Sequence, residues 1–416
     1  MTNETVVNFG CRLNSYESEV IKNILKKKDL KDVVVFNTCS VTNEAERQTV
    51  QAIRKHKREN PDIEIIVTGC AAQVNPRKYL EMPEVARVIN NKEKLLAKSY
   101  VTQEEKSKGE ELSHADYDAE TEFISELEGR TRALVPIQNG CDHNCTFCIV
   151  TYIRGPSRST PIEKILKQVK LFVKQGYREV VLTGINITSY GKDLREEINL
   201  GGVVKRILRE EPSLARLRLS SVDVAEIDDD LLEVIATEKR FMPHLHLSLQ
   251  SGDNEVLSKM KRRHTREQAQ KICRDVRAAR ADVTFGADII TGFPTETEEQ
   301  FGNSCALVEE IKIPFLHVFP YSERYNTAAA RMPQLDKKIR KDRAKILRVI
   351  GKENLEELSK NFVGREVEIL LEKNNTGRME NFLKVILTPN NFEAGELIKV
   401  RITKYKDGNL IGEAIE

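Results

Sequence analysis

The middle of the chain alternates short apolar runs with longer segments in which apolar residues recur every three or four positions. The dense runs predict strands, and the periodic segments, such as residues 161–175, predict helices between them. Six strand–helix units in a row favour an α/β fold with a partial, parallel (βα)₆ barrel. The predicted strands are residues 133–138, 179–183, 216–220, 244–249, 284–290 and 315–319.

The first hundred residues repeat another pattern three times: an apolar run, a cysteine and a helical stretch. Cys11, Cys39 and Cys70 each end such a run, and their spacing suits βαβ units of an open parallel sheet. The three cysteines are then expected at the carboxyl edge of the sheet, where open α/β sheets bind ligands. This position favours a three-cysteine metal site over three unrelated buried cysteines, although free cysteine is often buried.

Two helices are predicted in this N-terminal segment, over residues 14–28 and 43–59. Each is expected to begin with an Asn cap followed by Glu three positions later. The predicted pairs are Asn14 with Glu17 and Asn43 with Glu46.

The C-terminal end of the chain changes character. Residues 336–352 predict a basic helix, and the alternating runs 367–371, 383–387 and 397–402, with an Asp407-Gly408 turn, predict a small antiparallel barrel. The expected domains are residues 1–100, an acidic linker at 101–130, a barrel at 131–351 and a C-terminal unit at 352–416.

Charge is unevenly distributed, although the net charge is only +2. Residues 103–128 hold ten acids against two lysines, and residues 259–280 hold nine Lys or Arg against two acids. The basic turn at 259–266 lies after a predicted strand end, so Lys261, Arg262 and Arg263 are candidate phosphate contacts, with a solvated surface as the alternative.

The sequence contains no signal peptide and no apolar run long enough to span a membrane, so a cytoplasmic protein is expected. Its eight cysteines are then metal ligands or core residues rather than disulfide partners, because the cytosol is reducing. Cys273 and Cys305 lie among apolar residues of predicted helices and are expected in the core.

The segment 141–148 has the highest density of candidate metal ligands, because it carries Cys141, Cys145 and Cys148. Three thiolates on one loop can hold three irons of a four-iron cluster and leave the fourth iron open to a ligand. A Cys₃His zinc site using His143 is the alternative. It is disfavoured because the His143 ring would have to fold back on its own loop.

This C-x₃-C-x₂-C spacing resembles the signature of radical S-adenosylmethionine (SAM) enzymes. The flanking residues 138–141 and 149–155 resemble the methylthiotransferase branch, and so do Gly10-Cys11-Arg12-Leu13-Asn14 and Asn37-Thr38-Cys39. The C-terminal segment resembles the RNA-binding TRAM domain. The resemblance implies SAM and two [4Fe-4S] clusters, one on Cys141, Cys145 and Cys148 and an auxiliary one on Cys11, Cys39 and Cys70.

The same resemblance assigns SAM contacts to residues at the strand ends. Phe147 corresponds to the aromatic beside the adenine, and the segment 184–186 to the site of the SAM amino group. The segments 248–251 and 286–294 correspond to the ribose side and to the glycine-rich strand behind the nucleoside. The candidate residues are Phe147, Gly184, Asn186, Ser248, Gln250, Asp288 and Gly292; Asp288 could instead be an interior polar residue with satisfied hydrogen bonds.

The activity implied is radical methylthiolation, with tRNA as substrate, a flavodoxin-type electron donor and a sulfur source as partners. The segments 10–17, 130–133, 182–185 and 329–332 most resemble the branch acting on N6-threonylcarbamoyladenosine, 3′ of the anticodon. The charged substrate should then meet a cation, with Arg324 or Arg331 as candidates.

Three alternatives remain at this stage. They are isopentenyladenosine in tRNA, a ribosomal-protein side chain, and an RNA-binding protein whose cysteines hold structural metal. The chain departs from the family at Thr151, which replaces a Pro, and at 322–328, which lacks a Pro-Gly turn.

Overall fold

A computed structural model describes residues 5–101, 123–388 and 391–415. Most of the predicted acidic linker therefore lies outside the described residues. Its last residues, from Phe123 onward, pack on the central barrel, where Ile124 and Leu127 are buried. No helix of the described part is both long and apolar enough to cross a bilayer.

The N-terminal unit is the predicted open parallel sheet, and a short fourth strand joins the three predicted ones in the order β1-β2-β3-β4. All six residues of the second strand are buried, because helices cover both faces of the sheet. The elements are β1 (Val6–Asn8), α1 (Arg12–Lys27), β2 (Val33–Thr38), α2 (Asn43–Glu59), β3 (Glu64–Gly69), α3 (Cys70–Val74), α4 (Pro76–Leu80), β4 (Arg87–Val88) and α5 (Lys98–Val101).

The predicted Asn caps are wrong. Helix α1 is capped by Cys11, and α2 by Thr42, whose side chain accepts a hydrogen bond from the Ala45 amide. Asn14 instead lies inside α1, where its Nδ2 donates to the Thr38 carbonyl at 3.0 Å. The early start of α1 places Asn14 and Glu17 in the protein interior, where both bind other groups.

The central unit contains the six predicted parallel strands, and it confirms the partial barrel. Its strands are β5 (Arg132–Pro136), β6 (Gln138–Asn139), β7 (Arg158–Ser159), β8 (Glu179–Thr183), β9 (Arg216–Leu219), β10 (Ser221–Val222), β11 (His244–Gln250), β12 (Thr284–Thr291) and β13 (Phe315–Pro320). Its helices are α6 (Val150–Arg154), α7 (Ile162–Lys174), α8 (Leu200–Glu210), α9 (Asp229–Thr237), α10 (Asn254–Lys259), α11 (Arg266–Ala279), α12 (Glu298–Glu310) and α13 (Lys337–Lys360).

The wall of the barrel is formed by two parallel sheets, β5-β8-β9 and β10-β11-β12-β13. Strands β9 and β10 are separated only by Ser220, so a single bent stretch of chain joins the two sheets. No pairing joins β5 to β13 in the part of the chain that the structure describes. The barrel is therefore open on that side, and α1 packs against β5 there.

The basic helix α13 is longer than predicted and runs without a break through the expected domain boundary between residues 351 and 352. Its buried residues Ala344, Leu347 and Ile350 join the core of the barrel. Helix α13 therefore belongs to the central unit, and the C-terminal strands begin only at Glu366.

The C-terminal unit is a closed five-stranded barrel in the order β14-β15-β16-β18-β17. Its strands are β14 (Glu366–Glu372), β15 (Thr376–Met379), β16 (Lys384–Leu387), β17 (Leu397–Lys406) and β18 (Asn409–Ala414). Asp407 and Gly408 form the predicted hairpin turn, both with positive φ. The barrel is not wholly antiparallel as predicted, because β16 and β18 run parallel.

The C-terminal barrel closes the base of the central barrel. Arg216 and Arg218 of β9 donate to the carbonyls of Arg378 and Glu380 at 3.2 and 3.1 Å. Thr284, at the start of β12, donates to the Asn381 carbonyl at 2.7 Å. The opposite end, at the carboxyl ends of the strands, is left for the cysteine loop.

Candidate active site

Cys141, Cys145 and Cys148 lie on the loop between β6 and α6, at the carboxyl end of the first barrel strand. The loop is fixed by backbone hydrogen bonds, from the Cys141 amide to Gly155 and from the Thr146 amide to Met260, both at 3.1 Å. Burial raises the pKa of Cys148 to about 12, and the neighbouring Cys145 and Cys141 add to that rise. The three thiols therefore lie close enough to interact, and a bound cation would favour their thiolate form.

Two neighbours shape this loop. Gly140 has φ +73°, and a Cβ there would lie 1.9 Å from the Pro156 carbonyl oxygen, so only glycine fits. The Gln138 side chain donates to the Gly140 carbonyl at 2.7 Å and accepts from the Asn186 amide at 2.8 Å. Gln138 thus joins the cysteine loop to the loop that follows β8.

The second set, Cys11, Cys39 and Cys70, stands at the carboxyl edge of the N-terminal sheet, as predicted. Burial raises the pKa of Cys39 to about 11, and the charges of Cys70 and Cys11 raise it further. Gly69 precedes Cys70 with φ +93°, and a Cβ there would meet the Thr38 backbone at 2.5 Å. The sheet therefore brings the three thiols together by close packing of neighbouring strand ends.

A buried ion-pair network connects the two sets. Arg154 of α6 donates to Glu17 Oε1 at 2.9 Å and to Asn14 Oδ1 at 2.7 Å, and Lys94 donates to Glu17 Oε2 at 2.6 Å. Burial would raise the pKa of Glu17, but Arg154 and Lys94 outweigh it and lower the pKa to about 2. Cys11 caps the start of α1, and α6 follows Cys148, so this network fixes one cysteine set against the other.

The donor sets fit open iron–sulfur clusters better than closed metal sites. The only other cysteines are Cys273, which is buried among apolar residues, and Cys305, which is half-buried at the edge of the same core. The core position predicted for both is thus met fully by Cys273 and in part by Cys305. Each three-cysteine set lacks a fourth thiolate, as expected when one iron is left for another ligand.

His143, the alternative zinc ligand, faces carboxylates rather than its neighbouring thiols. Its Nδ1 lies 4.0 Å from Asp223 and its Nε2 lies 3.8 Å from Glu226. Burial lowers the pKa of His143, as does the charge of Arg263. The ring therefore points away from the cysteine set, as the loop geometry predicts.

Three candidate SAM residues lie close to the cysteine loop. Phe147 packs against the apolar cluster that contains Met260, Phe293 and Tyr321. A Cβ on Gly184 would lie 2.6 Å from the Gln138 carbonyl oxygen. Asn186 is buried and donates to Glu226 Oε2 at 3.0 Å.

Ser248 and Gln250 stand at the carboxyl end of β11, beside the same loop. The Ser248 carbonyl accepts a hydrogen bond from Arg262 Nη2 at 2.8 Å. Gln250 has φ +69° and lies at an irregularity in the pairing of β11 with β12. Arg262 also approaches Cys145 Sγ at 3.7 Å, so its charge reaches the cysteine set directly.

Asp288 lies on β12, and Gly292 directly follows the end of that strand. Asp288 Oδ1 is 3.0 Å from His246 Nε2 and 3.2 Å from His317 Nδ1. Burial would raise the pKa of Asp288, but these two hydrogen bonds hold it well below its usual range. A Cβ on Gly292 would lie 2.5 Å from Arg340 Cγ of α13, so this glycine permits close packing of that helix.

The basic turn is less exposed than the sequence indicates. Arg262 is almost buried and pairs with Asp223 at 2.9 Å, and Arg263 pairs with Glu226 at 2.9 Å. Lys261 is exposed. Only Lys261 of these three is therefore presented to solvent without an ion pair among the described residues.

The two candidate substrate cations differ in their surroundings. Arg324 is buried, donates to the Ser40 carbonyl at 3.1 Å and pairs with Glu46 at 2.8 Å, so it joins the barrel to the N-terminal unit. Arg331 is exposed at the start of the segment before α13.

Several residues of the site were not identified from the sequence. Gln138, Arg154, Asp223 and Glu226 are polar, buried or nearly so, and lie within the motif loops or just after strand ends. Their position after strand ends was the available signal, because loops at the carboxyl ends of barrel strands carry function. Their mutual partners depend on contacts distant in sequence, which periodicity does not indicate.

The comparisons with known proteins agree with this geometry. Residues 135–308 match the Radical SAM superfamily, and residues 4–90 match the Uncharacterized protein family UPF0004. The fold is similar to that of the radical S-adenosylmethionine methyltransferase TsrM from Kitasatospora setae, with a TM-score of 0.56 over 78% of this chain and 74% of that one, at 13% identity. The molecule is thus a radical SAM protein, a class that uses SAM and a [4Fe-4S] cluster.

Relatives that match this chain over almost their whole length identify the family within the radical SAM class. Threonylcarbamoyladenosine tRNA methylthiotransferase MtaB of Rickettsia prowazekii is 49% identical over 97% of this chain and 96% of its own length. The protein of that name from Aquifex aeolicus is 35% identical over 94% and 98%. The tRNA-2-methylthio-N(6)-dimethylallyladenosine synthase of Clostridium botulinum (strain Alaska E43 / Type E3) is 33% identical over 98% and 94%. The chain belongs to the radical SAM tRNA methylthiotransferase family.

Proposed function

We propose that this enzyme adds a methylthio group to C2 of N6-threonylcarbamoyladenosine at tRNA position 37, 3′ of the anticodon. Support for the substrate comes from the relatives that carry this activity in their names, at 49% and 35% identity over nearly the whole chain. The observation that carries the chemistry is the buried Arg154–Glu17 link between two three-cysteine sets. One reaction that needs two cofactors at one substrate requires such a fixed arrangement.

Cys141, Cys145 and Cys148 would hold the [4Fe-4S] cluster that binds SAM, and Cys11, Cys39 and Cys70 a second one. When bound, the first cluster with SAM supplies radical chemistry, and the second supplies sulfur. The chain positions both: Gln138 orients the first loop through Gly140 and Asn186, and the packing of β2 against β3 orients the second set.

The proposed SAM contacts are the strand-end residues near the first loop, Phe147, Gly184, Asn186, Ser248 and Gln250. Asp288 and Gly292 would contribute from β12, where Asp288 is already held by two histidines. Arg262 would also act toward this site, because its guanidinium lies beside Cys145.

The proposed partners are tRNA, a flavodoxin-type electron donor and a sulfur source, in the cytoplasm. Contacts to tRNA phosphates would come from the C-terminal barrel, from Lys261 and from Arg331, which is exposed. Phosphate contacts position a protein on nucleic acid without reading its sequence.

Isopentenyladenosine is the second candidate substrate, because a synthase of the corresponding methylthio product is 33% identical to this chain. Mass spectrometry of tRNA nucleosides from cells lacking the gene distinguishes the two. Loss of the methylthio group from threonylcarbamoyladenosine supports the proposal. Loss only from isopentenyladenosine, or only from a ribosomal protein, contradicts it.

The cofactor assignment has its own test. Anaerobically reconstituted protein should hold about eight irons, four for each cluster. Replacing Cys141, Cys145 and Cys148 with Ala should halve the iron and abolish SAM cleavage. Replacing Cys11, Cys39 and Cys70 should also halve the iron but spare SAM cleavage and stop sulfur insertion. A preparation containing zinc and no iron would contradict both assignments.

A further inference from the structure

A cavity of about 360 Å³ lies at the base of the central barrel, where the three units of the chain meet. The N-terminal unit contributes Arg12, the barrel contributes Arg132 and Arg218, and the C-terminal barrel contributes Glu372 and Phe382. The volume is within the range of small-ligand sites. It exceeds what one carboxylate needs, so it can accept a larger side group.

The cavity extends into the barrel interior from a rim that includes the exposed residues Arg130 and Lys373. Arg132 and Leu134 are two positions apart on β5, and successive strand residues point to opposite faces. Val181 of β8 and Arg218 of β9 line the same space from the neighbouring strands. These side chains are the inward-facing set of the β5-β8-β9 sheet.

The lining carries excess positive charge. Four arginines and one lysine line the cavity, against one carboxylate, Glu372. Glu372 pairs with Arg132 at 2.8 Å, and Arg218 pairs with Glu179 at 2.9 Å. The remaining positive charges have no matching acid on the cavity wall.

Arg12 and Arg218 each present donors without a partner. The Arg12 guanidinium makes no hydrogen bond or ion pair with any residue in 5–101, 123–388 or 391–415. Arg218 is 1% exposed, and its Nη1 is buried without a hydrogen-bond partner. An unpartnered buried donor is costly, so Arg218 favours an acceptor in the cavity. The half-buried Arg12 supplies a second cation that is not paired with an acid on the cavity wall.

Arg12, Arg132 and Arg218 line the cavity together, and a bound anion would offset their mutual repulsion. The alternative is a purely structural arginine cluster stacked on Phe382, whose ring lies 5.3 Å from Arg132, 5.0 Å from Arg218 and 4.7 Å from Arg378. That stacking accounts for those three arginines but not for Arg12.

Phe382 supports a binding role through its backbone. It has φ +75°, a conformation that a bulky L-residue rarely adopts. Residues in such backbone conformations concentrate at binding and catalytic sites. The strained turn places the aromatic ring against the arginines at the cavity floor.

Although the cavity lies toward the base of the barrel, Arg12 links it to the second cysteine set, because the Arg12 side chain lines the cavity. Arg12 directly follows Cys11, so their Cα atoms are about 3.8 Å apart. The Arg12 side chain lines the cavity together with Arg132 and Arg218 of the barrel strands, which places its guanidinium on the inner side of the sheet. A base held between the two cysteine sets could therefore direct its N6 substituent toward this cavity.

We propose that the cavity binds the carboxylate of the threonylcarbamoyl group, with Arg12 as its main cation and Arg218 as a second donor. The inference rests on the proposed function and deepens it. It assigns substrate specificity to Arg12 and Arg218 rather than to Arg324 or Arg331.

The test measures binding of cluster-loaded protein, anaerobically and without SAM, to three anticodon stem-loops. They carry threonylcarbamoyladenosine, its carboxyl methyl ester, or unmodified adenosine at position 37. Wild-type protein should prefer the acid over the ester by about tenfold or more, as expected for a hydrogen bond to a charged group. Arg12→Gln should lose this preference and leave binding of unmodified RNA unchanged.

Arg12→Lys keeps the charge and should retain part of the preference. The matched control is Arg209→Gln, since Arg209 is 74% exposed, and it should behave as wild type. Circular dichroism checks that each variant is folded. If Arg12→Gln unfolds, Arg12→Lys replaces it as the test: a reduced preference for the acid supports the proposal, and an unchanged preference overturns it.

The opposing outcomes are distinct. Equal binding of acid and ester by wild-type protein overturns the carboxylate site, as does a full preference in Arg12→Gln. Equal weakening of all three RNAs by Arg12→Gln indicates a phosphate contact and also overturns it. The nucleoside analysis of deletion cells tests the proposed function independently of all these results.

Discussion

Replacing Glu17 with Gln removes the carboxylate that two buried cations share. Glu17 is 2% exposed, and its partners Lys94 and Arg154 are buried too. A drop in its pKa from 4.5 to about 2 corresponds to about 3 kcal/mol, at about 1.4 kcal/mol per pH unit. Breaking a buried pair by removing one partner costs a similar ~3–5 kcal/mol. We expect Glu17→Gln to destabilise the protein by about this amount.

The pH dependence of this contribution has a definite sign. Because the pKa of Glu17 is lower in the folded protein, its stabilisation is present above about pH 4.5 and is lost as the pH falls toward 2. The difference in stability between wild type and Glu17→Gln should therefore be constant from pH 6 to 8 and shrink below pH 4.5.

Urea unfolding, followed by both circular dichroism and tyrosine fluorescence, measures the effect. The control is Glu44→Gln, because Glu44 forms an exposed pair with Arg47, and exposed pairs contribute little. The urea midpoint should fall for Glu17→Gln and stay near wild type for Glu44→Gln. Equal midpoints for the two variants would refute the role given to the buried network.

Three further predictions concern the first cysteine loop and its surroundings. Gly140→Ala should prevent iron binding by this loop, because the added Cβ would meet Pro156; the iron content of the protein measures this. The control is Gly302→Ala, in an open helical position, which should retain iron and stabilise the folded protein by up to ~1 kcal/mol. Arg262→Gln should lower the reduction potential of the first cluster, measured by spectroelectrochemical titration, because a cation beside Cys145 favours the reduced form. Lys261→Gln should reduce the salt dependence of tRNA affinity by about one charge; an unchanged slope would show that Lys261 is only a solvated side chain.

The sequence predicts the elements of this fold well where the pattern is local. The six barrel strands and the cysteine positions follow from apolar periodicity and from the end of each run. The bounds predicted for α2 are confirmed, but the predicted start of α1 is wrong. Asn14 is an ordinary capping residue by type but is held inside α1 by the Thr38 carbonyl. That contact crosses from one strand–helix unit to the next, so no local pattern indicates it.

The basic turn shows the same limit at the site. Lys261, Arg262 and Arg263 are equivalent by charge, yet Asp223 and Glu226, about forty residues earlier, neutralise two of them. A run of basic residues predicts the electrostatic potential of a segment only when the acids that pair with it lie nearby in sequence. Gln138 was likewise overlooked, because it joins two loops whose proximity depends on the pairing of β5 with β8 in the folded barrel.

The contact between the two barrels affects how the protein can be divided. Arg216 and Arg218 are 1% exposed and donate to carbonyls of the C-terminal strands and the turn between them. Cutting the chain after α13 would leave these guanidiniums and Thr284 without those acceptors, beneath an open barrel. The C-terminal unit thus covers and stabilises the base of the central barrel, and it is also a candidate RNA-binding module. Point substitutions on its outer face, rather than truncation or exchange with another protein's module, are the means to separate these two roles.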